Sequence, residues 1–306
     1  MKTRGSLRVY LGMAPGVGKT FAMLDEGRRR QERGTDVVIG IVETHGRAHT
    51  EEKVKNLTIV PRKKMSYQGA EFLEMDLEAI LARSPEVALI DELAHTNVPG
   101  SAHEKRWQDI DVLLDAGIDV ISTVNIQHLE SLNDVVERIT GVQQRETVPD
   151  AFLRQADQVE IVDISPEALQ RRMAHGNIYA AEKIDAALSN YFRKGNLSAL
   201  RELALLWVAD KVEEGLQEYR KTEGIQDIWE AQERIVVAVN DSREGETIIK
   251  RASRIAERTP GAKLFAIHVL NSDGVSSVDV AKLSYFETLT ESMRGKFSPS
   301  GIGEYC

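Results

Sequence analysis

At 306 residues and 42% hydrophobic content, the chain has an ordinary globular composition and room for two domains. A formal net charge of -9 argues against nucleic-acid binding through the whole surface, and one cysteine, Cys306, excludes a disulfide framework and a zinc ribbon. No apolar run approaches the ~18 residues of a membrane helix and no signal peptide opens the chain, so the expectation is a soluble cytoplasmic protein without direct membrane insertion.

In chain order, "LRVYL" (7–11) reads as a short buried strand and "GMAPGVGKT", from Gly12, as a glycine-rich phosphate loop. "TFAMLDEGRRRQERG" follows as a helix ending at Gly34. Four further Val/Ile/Leu runs are predicted strands: "DVVIGIVET" (36–44), "EVALIDE" (86–92), "DVISTVN" (119–125) and "QVEIVDI" (158–164). They are nearly continuous rather than alternating, as in strands covered on both faces. "EFLEMDLEAILARSP" and "RWQDIDVLLDAG" are predicted helices between them, the rhythm of a parallel α/β sheet.

From Pro166 the chain turns helical, with Ser165 as N-cap, then "AEKIDAALSNYF" and a long helix, "LSALRELALLWVADKVEEGLQEY". The polar "RKTEGIQDIWEAQ" (220–232) holds the linker. A second α/β pattern restarts at "RIVVAVN", continues through "TIIKRASRIAER", "AKLFAIHVL" and "DVAKLSYFETLTESM", and ends in "GKFSPSGIGEYC", expected to be a loose tail. The chain divides on this reading into domains 1–221 and 233–306, joined by 222–232.

A phosphate loop needs glycines so that successive amides converge on phosphate oxygens, a lysine for the β and γ phosphates, and a hydroxyl for magnesium. Gly16, Gly18, Lys19 and Thr20 supply these, with Pro15 and Val17 shaping the turn. In G-x-x-x-x-G-K-[ST] the first glycine would fall at Met13; here Gly12 stands one residue early. "VALIDE" delivers Asp91 and Glu92 to the carboxyl end of a strand. Asp91 is expected to hold magnesium together with Thr20, and Glu92 either polarises an attacking water or caps the next turn.

"ETHGR" (43–47) and "NIQHLES" (125–131) sit at other strand ends, making Asn125, Gln127 or His128, and Glu43, His45 or Arg47, candidate γ-phosphate sensors. His95 and His103 lack the spacing of a closed zinc site and read as hydrogen-bonding or switch residues; Trp107 reads as core or interface.

The ordered strings "GMAPGVGKT", "VETHGR", "DELAHTN", "KRWQDIDVLLDAGIDV", "NIQHLESLND", "RETVPD" and "YFRKGNLSALRELAL" together resemble the N-terminal cytoplasmic domain of the KdpD potassium-sensor histidine kinases, over about residues 3–215. Residues 232–306 look like the first half of a universal stress protein domain. The resemblance implies a P-loop NTPase-type sheet with a helical extension, then a partial α/β stress-protein-like domain. It also implies an ATP- and magnesium-binding regulatory module that acts on the histidine-kinase core of a two-component potassium system. Gly16, Gly18, Lys19, Thr20 and Asp91 carry the family's nucleotide residues.

No His-Glu-x-x-Thr-Pro string exists, so the usual autophosphorylation is not expected of this chain. In the stress-protein half Asn240 stands where the family has aspartate. Some relatives bind cyclic di-AMP in this half, and Ser242, Phe265 and His268 are loosely placed for it. An incomplete sheet leaves an open edge, which makes a homodimer through this half an expectation. The alternative to a regulatory module is a self-standing P-loop ATPase or phosphotransferase, for which no acceptor-substrate pocket is legible.

Overall fold

The structure, a computed structural model, describes residues 3–44, 46–174, 191–223, 233–240, 244–258, 262–268, 280–293 and 295–298. They fall into two compact units, Met1–Glu223 and Gly224–Cys306. The expected helix "AEKIDAALSNYF", apart from its last two residues, lies outside the described residues, as do His45 and Ser242.

The first unit is built on six strands in the order β3-β2-β6-β7-β1-β8. They are β1 (Leu7–Gly12), β2 (Val37–Ile41), β3 (Thr58–Ile59), β6 (Val87–Ile90), β7 (Asp119–Asn125) and β8 (Gln158–Ile161), and every pairing is parallel. The pleat sends alternate residues to opposite faces. Tyr10, Ile39, Leu89 and Ile121 pack with Met23 and Leu24 of α1 (Lys19–Glu32) on one face. Val9, Leu11, Val38, Ile90 and Val120 pack on the other with Ile80 of α3 (Leu77–Arg83), Ile110 and Leu113 of α4 (Arg106–Asp115), and Leu197 and Leu200. Burial on both faces is why β1, β2, β6 and β7 are nearly continuous in apolar residues, while β8, at one edge, alternates exposed and half-buried positions.

The remaining helices of this unit are α2 (Ala48–Val54), α5 (Asn133–Thr140), α6 (Asp150–Arg154), α7 (Pro166–Ala174) and α8 (Lys194–Glu223). Ser165 Oγ accepts from the amide of Ala168 at 3.2 Å, so α7 is capped as its sequence predicts. α8 continues to Glu223, past the expected start of the linker.

The structure corrects two expectations. Residues 71–74 are not helical: β4 (Lys63–Tyr67) and β5 (Ala70–Glu74) form an antiparallel hairpin. Gln68 and Gly69 between them both have positive φ, 49 and 81 degrees, which is the turn geometry that matches the twist of paired strands. Secondly, the tail contains a strand, β11 (Lys296–Ser298), paired with β10 (Lys263–His268).

The second unit has the strand order β11-β10-β9, again parallel, with β9 at Arg234–Val239. Helices α9 (Gly245–Arg258) and α10 (Val280–Ser292) accompany it. Its buried centre is Val239, Ile249, Ala266 and Phe286.

Candidate functional site

Gly12 ends β1 in register with Asn125, which ends β7. The loop 13–18 leaves from that point and α1 begins at Lys19. A Cβ on Gly12 would lie 2.6 Å from Val17 Cγ2 and 3.1 Å from Lys19 Cδ, so the loop folds back over a position that a side chain could enter only by displacing them. Met13 is buried and does not have positive φ, so it needs no glycine. The early glycine thus serves close approach, and the glycines that serve backbone conformation are Gly16 (φ 89 degrees) and Gly18 (φ 114 degrees).

Lys19 is 8% exposed. Its ammonium donates to the carbonyl of Ala14 at 3.3 Å and to Asn125 Oδ1. Burial lowers its pKa to about 8, against the pull of Asp91 and with the push of Arg47. Asp91, buried just past β6, accepts from Thr20 Oγ1 at 3.0 Å, Thr123 Oγ1 at 2.5 Å and the amide of Glu92 at 3.2 Å. Thr123 and Asn125 are two residues apart on β7 and share one face of it. β7 lies between the loop strand and the acidic strand, so this one face engages both the lysine and the aspartate.

Glu92 has φ 57 degrees, a left-handed backbone that costs a non-glycine residue about 1–2 kcal/mol. Burial and the neighbouring Asp91 raise its pKa. Beneath it Arg106, 2% exposed, donates to the carbonyls of Asp91 at 3.0 Å and Glu92 at 3.4 Å, and to Glu74 Oε2 at 3.4 Å. Glu74 ends the β4–β5 hairpin and also accepts from the amide of Val98 and pairs with His95 Nε2, each at 3.0 Å. Its own burial would raise its pKa, but these hydrogen bonds and Arg106 outweigh that and hold it low.

A cleft of about 1630 Å³ opens over these groups. Lys19, Thr20, Asp91, Glu92, Asn125 and His128 line it, as do Phe21, Arg47, Lys53 and Arg172. Burial lowers the pKa of His128, whose Nδ1 lies 2.8 Å from the carbonyl of Glu146. Pro15, Gly16, Val17 and Gly18 form the cleft's rim.

Gln127 is not brought to the loop: its side chain bonds Gln144 at 3.0 Å and the Tyr191 hydroxyl. Glu43 carries an ion pair to Arg62 at 2.7 Å. His103 bonds Asp109 at 2.7 Å, in keeping with a hydrogen-bonding role, and Trp107 packs on Phe152 with ring centroids 5.2 Å apart, in keeping with core. In the second unit, Phe265 and His268 are three residues apart on β10 and therefore point to opposite faces.

Sequence reasoning missed Thr123, Arg106, Glu74 and Arg172. Thr123 left a trace, a hydroxyl near the carboxyl end of an apolar strand. The others are ordinary surface-type residues whose position only the fold reveals. Among the described residues no group of three His, Cys, Asp or Glu side chains is arranged to hold a metal ion, and no helix is long and apolar enough to cross a membrane.

A parallel α/β sheet whose strand β1, between β7 and β8, feeds a glycine-rich loop thus gathers a lysine, a hydroxyl and a carboxylate at its carboxyl edge. Residues 3–212 match the family model described as KdpD, the osmosensitive K+ channel His kinase sensor domain. The chain is 59% identical over 290 residues to the sensor protein KdpD of Mycobacterium tuberculosis, covering 95% of this chain and 34% of that protein. It is 48% identical to the sensor protein KdpD of Escherichia coli over 87% of this chain and 30% of the relative. A putative sensor protein KdpD of Synechocystis is 48% identical over 96% of this chain and 78% of that protein. The chain belongs to the KdpD sensor family, and it spans about a third of the length of most of these relatives.

Proposed function

We propose that the first unit is an ATP-binding regulatory module of a potassium-responsive two-component sensor, and that it modulates a histidine-kinase core. The observation that carries this reading is Lys19: a buried ammonium, held between a loop carbonyl and Asn125, faces a large cleft beside the Thr20–Asp91 pair. A burial that lowers a lysine's pKa is unfavourable by itself and becomes favourable when an anion occupies the cleft.

The residues fit the group. Lys19, the loop amides of 16–18 and the first turn of α1 would take the phosphates, whose charge suits a helix N-terminus. Thr20 and Asp91 would hold magnesium, which supplies positive charge to the phosphate oxygens when bound. Asn125 orients the lysine, and Thr123 orients the aspartate. The KdpD family membership supports a potassium-responsive two-component partner. Assignment of the second unit as stress-protein-like, and a homodimer through its sheet edge, belong to the same proposal; a strict monomer by light scattering would remove the dimer.

Titration calorimetry with ATP and magnesium tests the central reading. Binding by the native chain and its loss in Lys19→Ala, with negligible phosphate release, is the expected result. Absence of binding to the native chain would overturn it. The ATPase reading has one observation in its favour, the raised pKa and strained backbone of Glu92, since a carboxylate with raised pKa is a better base. Steady phosphate release abolished by Glu92→Gln would establish that alternative.

A further inference from the structure

We propose that Arg172 positions the glycine-rich loop for its ligand and couples that loop to the helical extension; the inference rests on the nucleotide reading above. Arg172 lies on α7, far from the loop in sequence, yet its Nη1 donates to the carbonyls of Gly16 at 3.3 Å and Val17 at 3.1 Å. A planar trans peptide carries its C=O and N–H on opposite sides, and the described residues contain no cis peptide. Pinning the carbonyls of Gly16 and Val17 therefore turns the amides of Val17 and Gly18 to the other side of the loop. Among the described residues those two amides donate no backbone hydrogen bond. Val17 is buried, so its amide is costly to leave unpaired and is ready for an arriving acceptor. Glycines flank these planes, so the guanidinium adds a restraint on them beyond the one the buried Val17 side chain supplies.

The other end of the device is α7 itself. Leu169 and Met173 are fully buried and hold the helix against the core. Gln170 Nε2 donates to the carbonyl of Phe192 at 2.9 Å, and Glu167 pairs with Lys194 at 2.7 Å. The helix that grips the loop is thereby fastened to the start of α8. Occupation of the loop and anchoring of α7 are energetically linked, and the linkage works in both directions.

Calorimetry with ATP and magnesium on the full chain, alongside amide hydrogen exchange, tests the inference. Arg172→Gln is expected to bind roughly 10- to 100-fold more weakly, the scale of charge-assisted hydrogen bonds. Arg172→Lys, which keeps a charged donor, is expected to recover most of that loss. Arg171→Gln, which removes the same charge one residue away, is expected to bind as the native chain does. Without ligand, the amides of Val17 and Gly18 exchange faster in Arg172→Gln. With ligand, residues 166–174 gain protection in the native chain and not in that variant. Native affinity and unchanged exchange in Arg172→Gln would overturn the inference while leaving the nucleotide reading intact, provided that Lys19→Ala still abolishes binding. No rescue by lysine would overturn positioning by hydrogen bonding. A native chain that binds no ATP overturns both.

Discussion

Lys19 is a residue whose surroundings set a measurable pH dependence. Its pKa falls from the ordinary 10.5 to about 8 on folding. Below pH 8 the ammonium is present in both states and the burial penalty is complete. Between pH 8 and 10.5 the unfolded chain keeps a proton that the folded chain releases, so folding becomes more favourable as pH rises. Above that window the gain levels off. The ligand-free protein is thus expected to gain up to about 3 kcal/mol relative to Lys19→Met across this window, read as the difference between their urea midpoints. A flat difference would mean that the ammonium is better solvated than its burial suggests. Gly12 makes a second residue-scale prediction. Gly12→Ala drives a methyl into Val17 and the Lys19 stem, and is expected to cost about 1–3 kcal/mol in the same assay. The loop's turn was legible because its parts are local, Gly16 to Thr20, with positive φ at Gly16 and Gly18. The reason for Gly12 was not, because the clash that a side chain would meet there involves Val17, which returns to Gly12 only after folding.

At the scale of elements, Arg106 joins α4 to the ends of β6 and β5. Arg106→Ala would leave Glu74 buried beside fewer donors and free the carbonyls of Asp91 and Glu92. Chemical denaturation is expected to show a loss of about 3–5 kcal/mol, partly restored by adding Glu74→Gln, which removes the stranded charge. Equal losses in single and double variants would show that packing, not charge, holds the three elements. The four inner strands, β1, β2, β6 and β7, were readable from continuous apolar runs, since each is covered on both faces, whereas the exposed two-residue edge strand β3 left no such run. The hairpin was misread as helix because "EFLEMDLEAI" also suits helical spacing. The decisive signal was the turn at Gln68 and Gly69, two residues with positive φ between short strands. The pairing of β11 was hidden for a different reason: a three-residue strand has no period of its own.

Across the whole molecule, the two units differ in how much they bury. The first gathers two extensive clusters on either side of a six-stranded sheet, whereas the described residues of the second gather one small cluster, Val239 of β9, Ala266 of β10, Ile249 of α9 and Phe286 of α10. Small cores give marginal stability. Scanning calorimetry is expected to show two transitions, the second unit melting first. ATP with magnesium at about 100 times its dissociation constant adds about 2.7 kcal/mol to whatever binds it, and should move only the upper transition. Movement of both would mean that the units unfold together. The restart of an α/β pattern after the polar segment made the second unit legible, but the extent of its core was not, since sequence does not show which apolar residues find partners.

The place of β7 between the loop strand and the acidic strand has a consequence of its own. Thr123 and Asn125 fix the aspartate and the lysine from one rigid ribbon, so the distance between those two charges is gauged by the pleat of a strand and not by the reach of flexible side chains. Because strand pairing slips in whole residues, and one step would turn both partners to the opposite face, a change of register at β7 would lose both contacts at once.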